Sequence, residues 1–209
     1  MKMSKVKILG NLLGVIPAAY LLYQATAGNL SANPIQTATV ITGRASVYAL
    51  LISLYCSPIA RLLKMSMFHR VRKISGLFAF YYAFAHFIIF IGLDYQFNFS
   101  WILPEIRQKL FLQVGLAAIL MLTVLAITSV NLIKQRMGAI WKKLQKNVYW
   151  ISALILLHVA LASKGDIIDP AILFTLYLVA MLLRLPKLRS ISIKKQPDWL
   201  RRINTFMIS

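Results

Sequence analysis

Two histidines lie deep within apolar segments of this chain. His86 occurs in SGLFAFYYAFAHFIIFIGLD and His158 in YWISALILLHVALASKG. Each follows a basic loop by about 12 or 13 residues, which predicts a depth of roughly 18–20 Å along a helix. Because an ionisable side chain at membrane depth is costly, it usually marks a functional site. Two imidazoles at one level, on two helices that run in the same direction, have the geometry that a bis-histidine haem requires.

Other interpretations of the histidine pair remain open at this point. Each ring could simply hydrogen-bond a neighbouring helix, as polar residues in membrane bundles do. A zinc site would need three or four ligands, and no further ligand is evident beside these two. The third histidine, His69, lies in the basic stretch FHRVRK and is expected to be exposed. Haem ligation is the interpretation that accounts for the matched depths.

The composition is that of an integral membrane protein. Apolar residues make up 59% of the 209 positions, against about 45–50% in soluble domains. The sequence contains no Gly-rich dinucleotide fingerprint and no phosphate-binding loop. Its one cysteine, Cys56, excludes an internal disulfide and a cysteine-ligated iron–sulfur cluster. The net charge of +19 is concentrated between apolar segments, which indicates membrane topology and not nucleic-acid binding.

Six apolar segments predict an all-α bundle of six transmembrane helices. They cover residues 8–24, 46–63, 74–93, 111–133, 148–163 and 170–185. Twenty of the 24 basic residues lie on one side of these segments, and the four on the other side are Arg44, Arg107, Lys109 and Lys164. Four of the five acids share that second side: Asp94, Glu105, Asp166 and Asp169. By the positive-inside rule both termini are cytoplasmic, and the third and fifth spans run outward in parallel.

This pattern predicts a membrane domain over residues 1–185, followed by a basic cytoplasmic tail over 186–209. Anionic lipid would attract that tail. The external segment 94–110 is expected to be an interfacial loop. No internal repeat is evident in the sequence. Arg44, at the outer start of the second span, is a candidate partner for a haem propionate, since guanidinium pairs well with carboxylate.

Several ordered motifs resemble the MsrQ (YedZ) family of the ferric-reductase-like transmembrane superfamily. They are NPIQTATVITGRASVYALLISLYCSPIARLLK (33–64), VRKISGLFAFYYAFAHF, ITSVNLIKQRMGAIWKKLQKNVYW and LLHVALASK. The resemblance covers roughly residues 10–185. It implies a six-helix subunit with b-type haem in the bacterial inner membrane. Such a subunit passes electrons from the quinol pool, or from a flavin reductase that would bring FMN, to a periplasmic molybdopterin methionine sulfoxide reductase. By the same resemblance His86 and His158 match haem ligands.

One position departs from the family pattern. The family usually has a further histidine thirteen residues before the last one, and here that position is Gln145. Glutamine is a poor haem ligand, so we expect one haem b per chain and no second, cytoplasmic-side haem. Electron entry then remains open between quinol near the outer leaflet, a cytoplasmic flavin and another partner.

Two further functions stay open. A transmembrane ferric reductase would reduce an external metal chelate directly. A cofactor-free scaffold or small transporter would leave the matched depths of His86 and His158 unexplained. In the electron-transfer interpretation the chain itself is not the catalytic subunit and needs no acid, base or nucleophile.

Overall fold

The computed structural model describes residues 4–163, 167–189 and 196–208. Within these ranges the chain is helical and contains no strand. In chain order the helices are α1 (Lys5–Thr26), α2 (Pro34–Leu62), α3 (Met67–Ile88, continued by a π-helical turn at Ile89–Asp94), α4 (Phe99–Gln108), α5 (Leu110–Ile127), α6 (Asn131–Met137), α7 (Ala139–Gln145), α8 (Val148–Ala162), α9 (Ile168–Leu182), α10 (Pro186–Arg189) and α11 (Asp198–Ile208).

Among the described residues, five helical stretches are long and apolar enough to cross a membrane. They are Lys5–Thr26, Pro34–Leu62, Met67–Asp94, Leu110–Ile127 and Ala139–Ala162. The sixth expected segment, 170–185, corresponds to α9, which is apolar but has only 15 residues. Length and composition therefore support five spans directly, and the sixth is shorter than a typical transmembrane helix.

Some boundaries differ from the expected ones for local reasons. The second apolar segment was expected at 46–63, but α2 begins at Pro34. The Asn33 side chain caps it by accepting a hydrogen bond from the Gln36 amide at 3.0 Å, and proline is well suited to the first helical position. Part of the external segment 94–110, which we expected to be a loop, forms α4 and is capped in the same way by Asn98.

The helix pair α2–α3 is an antiparallel hairpin. The Ser46 hydroxyl donates to the backbone oxygen of Ala79 at 2.8 Å, and Ser53 donates to the backbone oxygen of Arg72 at 3.0 Å. Residue numbers rise along one helix as they fall along the other. Bonds of this kind satisfy hydroxyl groups that would otherwise face an apolar interior.

The helices α2 and α9 run in the same direction. Arg44 forms an ion pair with Asp169 near one end, and Arg61 donates to the backbone oxygen of Leu183 near the other. An apolar core fills the space between α2, α8 and α9, and its buried members are Val47, Leu51, Leu54, Leu156, Leu173 and Ala180.

The helices α8 and α9 are antiparallel, because the Tyr177 hydroxyl near the end of α9 donates to the backbone oxygen of Tyr149 near the start of α8, at 3.2 Å. Together with the α2–α3 hairpin and the parallel α2–α9 pair, this contact makes α3 and α8 parallel. The helices that carry the two histidines thus run in the same direction, as the charge pattern of the sequence predicts.

The first and last helices meet at one end of the bundle. The Lys5 amine lies 3.3 Å from the centre of the Phe206 ring, a cation–π contact. The Asn204 side chain accepts a hydrogen bond from the Met67 amide at 3.1 Å, at the first turn of α3. Both ends of the described chain therefore lie on the same side of the bundle.

A few residues of the expected charge pattern lie outside the described residues. They are Lys2, Lys164 and Asp166, together with 190–195 of the basic tail, which include Lys194 and Lys195.

Candidate metal centre

The structure brings the two intramembrane histidines together. His86 on α3 and His158 on α8 have ring centroids 6.2 Å apart, and their ring planes are inclined at 85°. Both side chains are partly buried. The remaining histidine, His69, lies exposed in the first turn of α3, 17 positions before His86. Of the three histidines, only His86 and His158 thus lie close to one another.

Both imidazoles are anchored through the same ring nitrogen. His86 Nδ1 lies 2.9 Å from the backbone oxygen of Thr39 on α2, and His158 Nδ1 lies 2.7 Å from that of Phe111 on α5. A carbonyl oxygen can only accept, so Nδ1 carries the proton in each ring and Nε2 keeps its lone pair. Metal-bound histidines are commonly fixed in this way by a carbonyl on the far nitrogen.

Each ring also lies against a glycine of the helix that anchors it. A Cβ atom on Gly43 would lie 3.0 Å from His86 Nδ1. A Cβ atom on Gly115 would lie 2.8 Å from His158 Nδ1 and 2.9 Å from its Cε1. Neither glycine was among the site residues expected from the sequence. Both glycines are needed at these positions, because any side chain there would occupy the space of an imidazole.

The two half-sites are repeats of one arrangement. Thr39, Gly43 and His86 are followed 72 positions later by Phe111, Gly115 and His158, and each histidine is 47 residues from its carbonyl partner. No repeat is evident in the sequence, yet the two half-sites share one arrangement in the structure. Of the three paired positions only the glycine and the histidine are identical, which is too little for a repeat to be evident in the sequence. The equal Gly-to-His spacing is the signal that would have revealed it.

The spacing of the rings fits two axial ligands on one iron. An imidazole nitrogen binds a transition metal at about 2 Å and the ring centre lies about 1 Å beyond, so two axial rings have centres about 6 Å apart. The observed 6.2 Å agrees with this value. Across residues 4–163, 167–189 and 196–208 no three His, Cys, Asp or Glu side chains converge on a metal position. A two-nitrogen donor set is unsuited to structural zinc and suited to haem.

Sequence comparisons agree with this geometry. The family described as "Ferric reductase like transmembrane component" matches residues 38–157, which include Gly43, His86 and Gly115 and end one residue before His158. The chain is 35% identical to the protein-methionine-sulfoxide reductase heme-binding subunit MsrQ of Caulobacter vibrioides over 182 residues, 87% of each chain. The MsrQ subunit of Herminiimonas arsenicoxydans is 36% identical over 173 residues, 81% of this chain and 79% of its own length. The chain belongs to the MsrQ family.

A third relative, from Brucella anthropi, extends the same result. This MsrQ subunit is 34% identical over 159 residues, which cover 76% of this chain and 72% of its own length. The resemblance drawn from the motifs is therefore confirmed. Because the similarity runs through most of the chain, the paired histidines and their glycines belong to an MsrQ-type membrane domain.

Arg44 follows Gly43 directly, and its side chain points to the acidic residue Asp169. Its guanidinium forms an ion pair with the Asp169 carboxylate, and the two side chains are 57% and 45% exposed. This contact joins α2 to the first turn of α9. Guanidinium has five N–H donors, so the pair with Asp169 leaves donors available to another carboxylate.

Gln145 is the residue at which the motif resemblance implies a histidine in related chains, and here it makes polar contacts. Its Nε2 lies 3.1 Å from the backbone oxygen of Leu125, 3.2 Å from the Thr128 hydroxyl and 3.4 Å from the Ser129 hydroxyl. The amide thus ties the end of α7 to the end of α5. In this chain the position makes an interhelical polar contact, and its nitrogen is a donor that cannot bind a metal.

Proposed function

We propose that this chain is the haem-binding membrane subunit of a methionine sulfoxide reductase system and that it transfers electrons to a separate catalytic subunit. The single observation that carries the proposal is the pair of anchored imidazoles 6.2 Å apart. The MsrQ relatives, whose names give them a heme-binding role in protein-methionine-sulfoxide reductase, support it independently.

In this proposal His86 and His158 are the axial ligands, each through Nε2. When bound, haem would supply a one-electron redox centre, and ligation by both histidines would leave no open position, which favours electron transfer over oxygen chemistry. The protein fixes the tautomer of both rings through the carbonyls of Thr39 and Phe111. Arg44 lies at the end of the site nearest α9 and is the proposed partner of a haem propionate.

We propose one haem b per chain. Gln145 donates its amide to α5, and it therefore offers no ligand for a second, inner haem. Electrons would come from the quinol pool, or from a flavin reductase with FMN. The acceptor would be a periplasmic molybdopterin-containing catalytic subunit.

The proposed topology has six spans in the bacterial inner membrane. The sixth is α9, whose 15 residues extend about 22 Å, so the bilayer would thin locally beside it. The end of the bundle that carries Lys5 and Phe206 would face the cytoplasm, with the excess of basic residues. Residues 1–185 would form the haem domain and 186–209 a basic tail at the lipid surface.

A pyridine haemochrome assay, with a reduced-minus-oxidised spectrum of the detergent-purified chain, tests the proposal. We expect one haem b per polypeptide with a low-spin spectrum. His86→Ala and His158→Ala should each lose low-spin haem, and His69→Ala is the matched control because that ring is exposed and distant. A chain purified without haem from haem-replete cells, or full low-spin haem in either ligand variant, would overturn the assignment.

The matched ferric-reductase-like family favours one alternative, a transmembrane ferric reductase. The haem-loaded chain, reduced and mixed with a ferric chelate, distinguishes the two functions. Rapid oxidation by the chelate, with none by a methionine sulfoxide reductase catalytic subunit, would favour direct metal reduction. A cofactor-free scaffold or transporter predicts no visible spectrum at all.

A further inference from the structure

We propose that Gly43 and Gly115 are positioning residues that set the angle between the two axial imidazole planes. This inference rests on the proposed haem function and deepens it. Each glycine, with the carbonyl four residues before it, forms a cradle for one ring: Thr39 and Gly43 hold His86, and Phe111 and Gly115 hold His158. The cradle contacts the imidazole rings, so its effect on a bound haem would be exerted through those rings.

Helix geometry explains how a cradle works. Residues four apart lie on the same helix face, one turn above the other. The carbonyl of the first residue accepts the Nδ1 proton at 2.9 Å for His86 and 2.7 Å for His158. The glycine one turn further along leaves the space into which the edge of the ring fits. Each ring is thus held by a directional bond at one point and by a close surface at another.

The glycine surface leaves little freedom for the ring. A Cβ at position 43 would approach His86 Nδ1 to 3.0 Å and Cε1 to 3.3 Å. A Cβ at position 115 would approach His158 Nδ1 to 2.8 Å, Cε1 to 2.9 Å and Cγ to 3.5 Å. The contacts involve the same nitrogen that bonds the carbonyl. A methyl group there must therefore lengthen the hydrogen bond or rotate the ring.

The two cradles hold the rings at right angles to one another. The ring planes are inclined at 85° although each half-site repeats the same parts. The mutual angle therefore follows from how the helix pair α2–α3 faces the pair α5–α8, and from the cradle that fixes each ring within its own pair. In a low-spin ferric haem, perpendicular imidazole planes give a highly anisotropic electron paramagnetic resonance signal, whereas coplanar rings give a rhombic one. The geometry predicts the former.

The test compares Gly43→Ala and Gly115→Ala with Gly76→Ala in the full-length, haem-loaded chain. Gly76 lies in α3, the helix of His86, and a Cβ there meets only the Ser53 hydroxyl at an ordinary 3.4 Å. Alanine favours a helix at all three positions, so local helix stability does not separate them. The readouts are the low-temperature resonance signal, the midpoint potential and the haem-to-protein ratio.

We expect Gly115→Ala to change all three readouts most, because its contacts are shortest. The resonance signal should become more rhombic as the ring rotates. The potential should rise as the Nδ1 bond weakens and the imidazole becomes a poorer electron donor. Haem affinity should fall about tenfold, as is usual when the outer partner of a metal ligand is lost. Gly43→Ala should change the same readouts less, and Gly76→Ala should leave them at parental values.

Two results would overturn the inference while leaving the proposed function intact. One is a parental signal and potential in both Gly43→Ala and Gly115→Ala, with normal haem content. The other is an equal change in Gly76→Ala, which would indicate a general packing effect. If Gly115→Ala does not accumulate in the membrane, the gentler Gly43→Ala still decides the matter. Absence of haem from the parental chain would instead refute the proposed function itself.

Discussion

The side-chain amide of Gln145 donates a hydrogen bond to the backbone oxygen of Leu125 at 3.1 Å. Two hydroxyls, of Thr128 and Ser129, lie within 3.4 Å of the same nitrogen. The residue therefore links α7 to the end of α5, at the opposite end of α5 from the Phe111 carbonyl that anchors His158.

Replacing Gln145 by Ala tests whether this residue contributes to cofactor binding. We expect the haem-to-protein ratio to stay at one, since the amide makes interhelical bonds only. The free energy of unfolding should fall by about 0.6–1.7 kcal/mol, which spans the average and the largest contribution of one interhelical polar contact in a membrane bundle. The measurements are the haemochrome assay and the unfolding midpoint. Thr123 is the control, because its hydroxyl bonds the Ile119 backbone oxygen within α5. Loss of haem from the Gln145 variant, with a normal spectrum in Thr123→Ala, would show that Gln145 has a role at the cofactor.

Arg44 and Asp169 should shift the haem potential in opposite directions. Reduction adds negative charge to the haem, so Arg44→Gln should lower the midpoint potential. Asp169→Asn removes the competing anion and should raise it. An exposed charge contributes at most about 1 kcal/mol, which corresponds to roughly 40 mV for one electron. Redox titration of the purified chain measures both shifts.

Arg107 provides the control for this pair, because it is a basic residue of α4 on the same predicted side of the membrane. Arg107→Gln should leave the potential within the error of the titration. A potential unchanged in both Arg44→Gln and Asp169→Asn would exclude Arg44 as a propionate partner.

Cysteine labelling can establish the topology because Cys56 is only 3% exposed and should give little background. Ser100 in α4 and Thr205 in α11 are both exposed. A membrane-impermeant maleimide added to intact spheroplasts should label Ser100→Cys at once. Thr205→Cys should react only after the membrane is broken. Immediate labelling of Thr205→Cys would invert the proposed orientation.

The sequence predicted the positions of the two histidines. It did not predict the carbonyls and glycines that hold their rings. Matched distances from two basic loops predicted that His86 and His158 would lie at one level, because helix rise is constant. The Thr39 and Phe111 carbonyls carry no side-chain signature, since every residue has a backbone oxygen. A glycine in an apolar helix is likewise unremarkable until a ring is found against it.

Helix ends were predicted less well than helices. Hydropathy placed the start of the second span at residue 46, whereas α2 starts twelve residues earlier, at Pro34. The first turns of α2 contain threonines whose hydroxyls bond carbonyls of their own helix, as Thr39 does with Ile35 and Thr42 with Ala38. Such bonds satisfy the threonine hydroxyls within the helix. A hydropathy average still scores these residues as polar, and it therefore places the start of the helix too late. Motif order was the better guide to the family, because it does not depend on where each helix ends.

The 72-residue repetition has a consequence for how the subunit is made. The helix pairs α2–α3 and α5–α8 each bring one imidazole and the cradle that orients it, so the first pair alone offers iron a single ligand. The second ligand exists only once α8 has been synthesised and packed beside α3. Under the proposed function, haem would then act as a cross-link between the two halves, and its capture would complete the assembly of the bundle. The supply of haem would therefore govern how much of the folded subunit persists in the membrane.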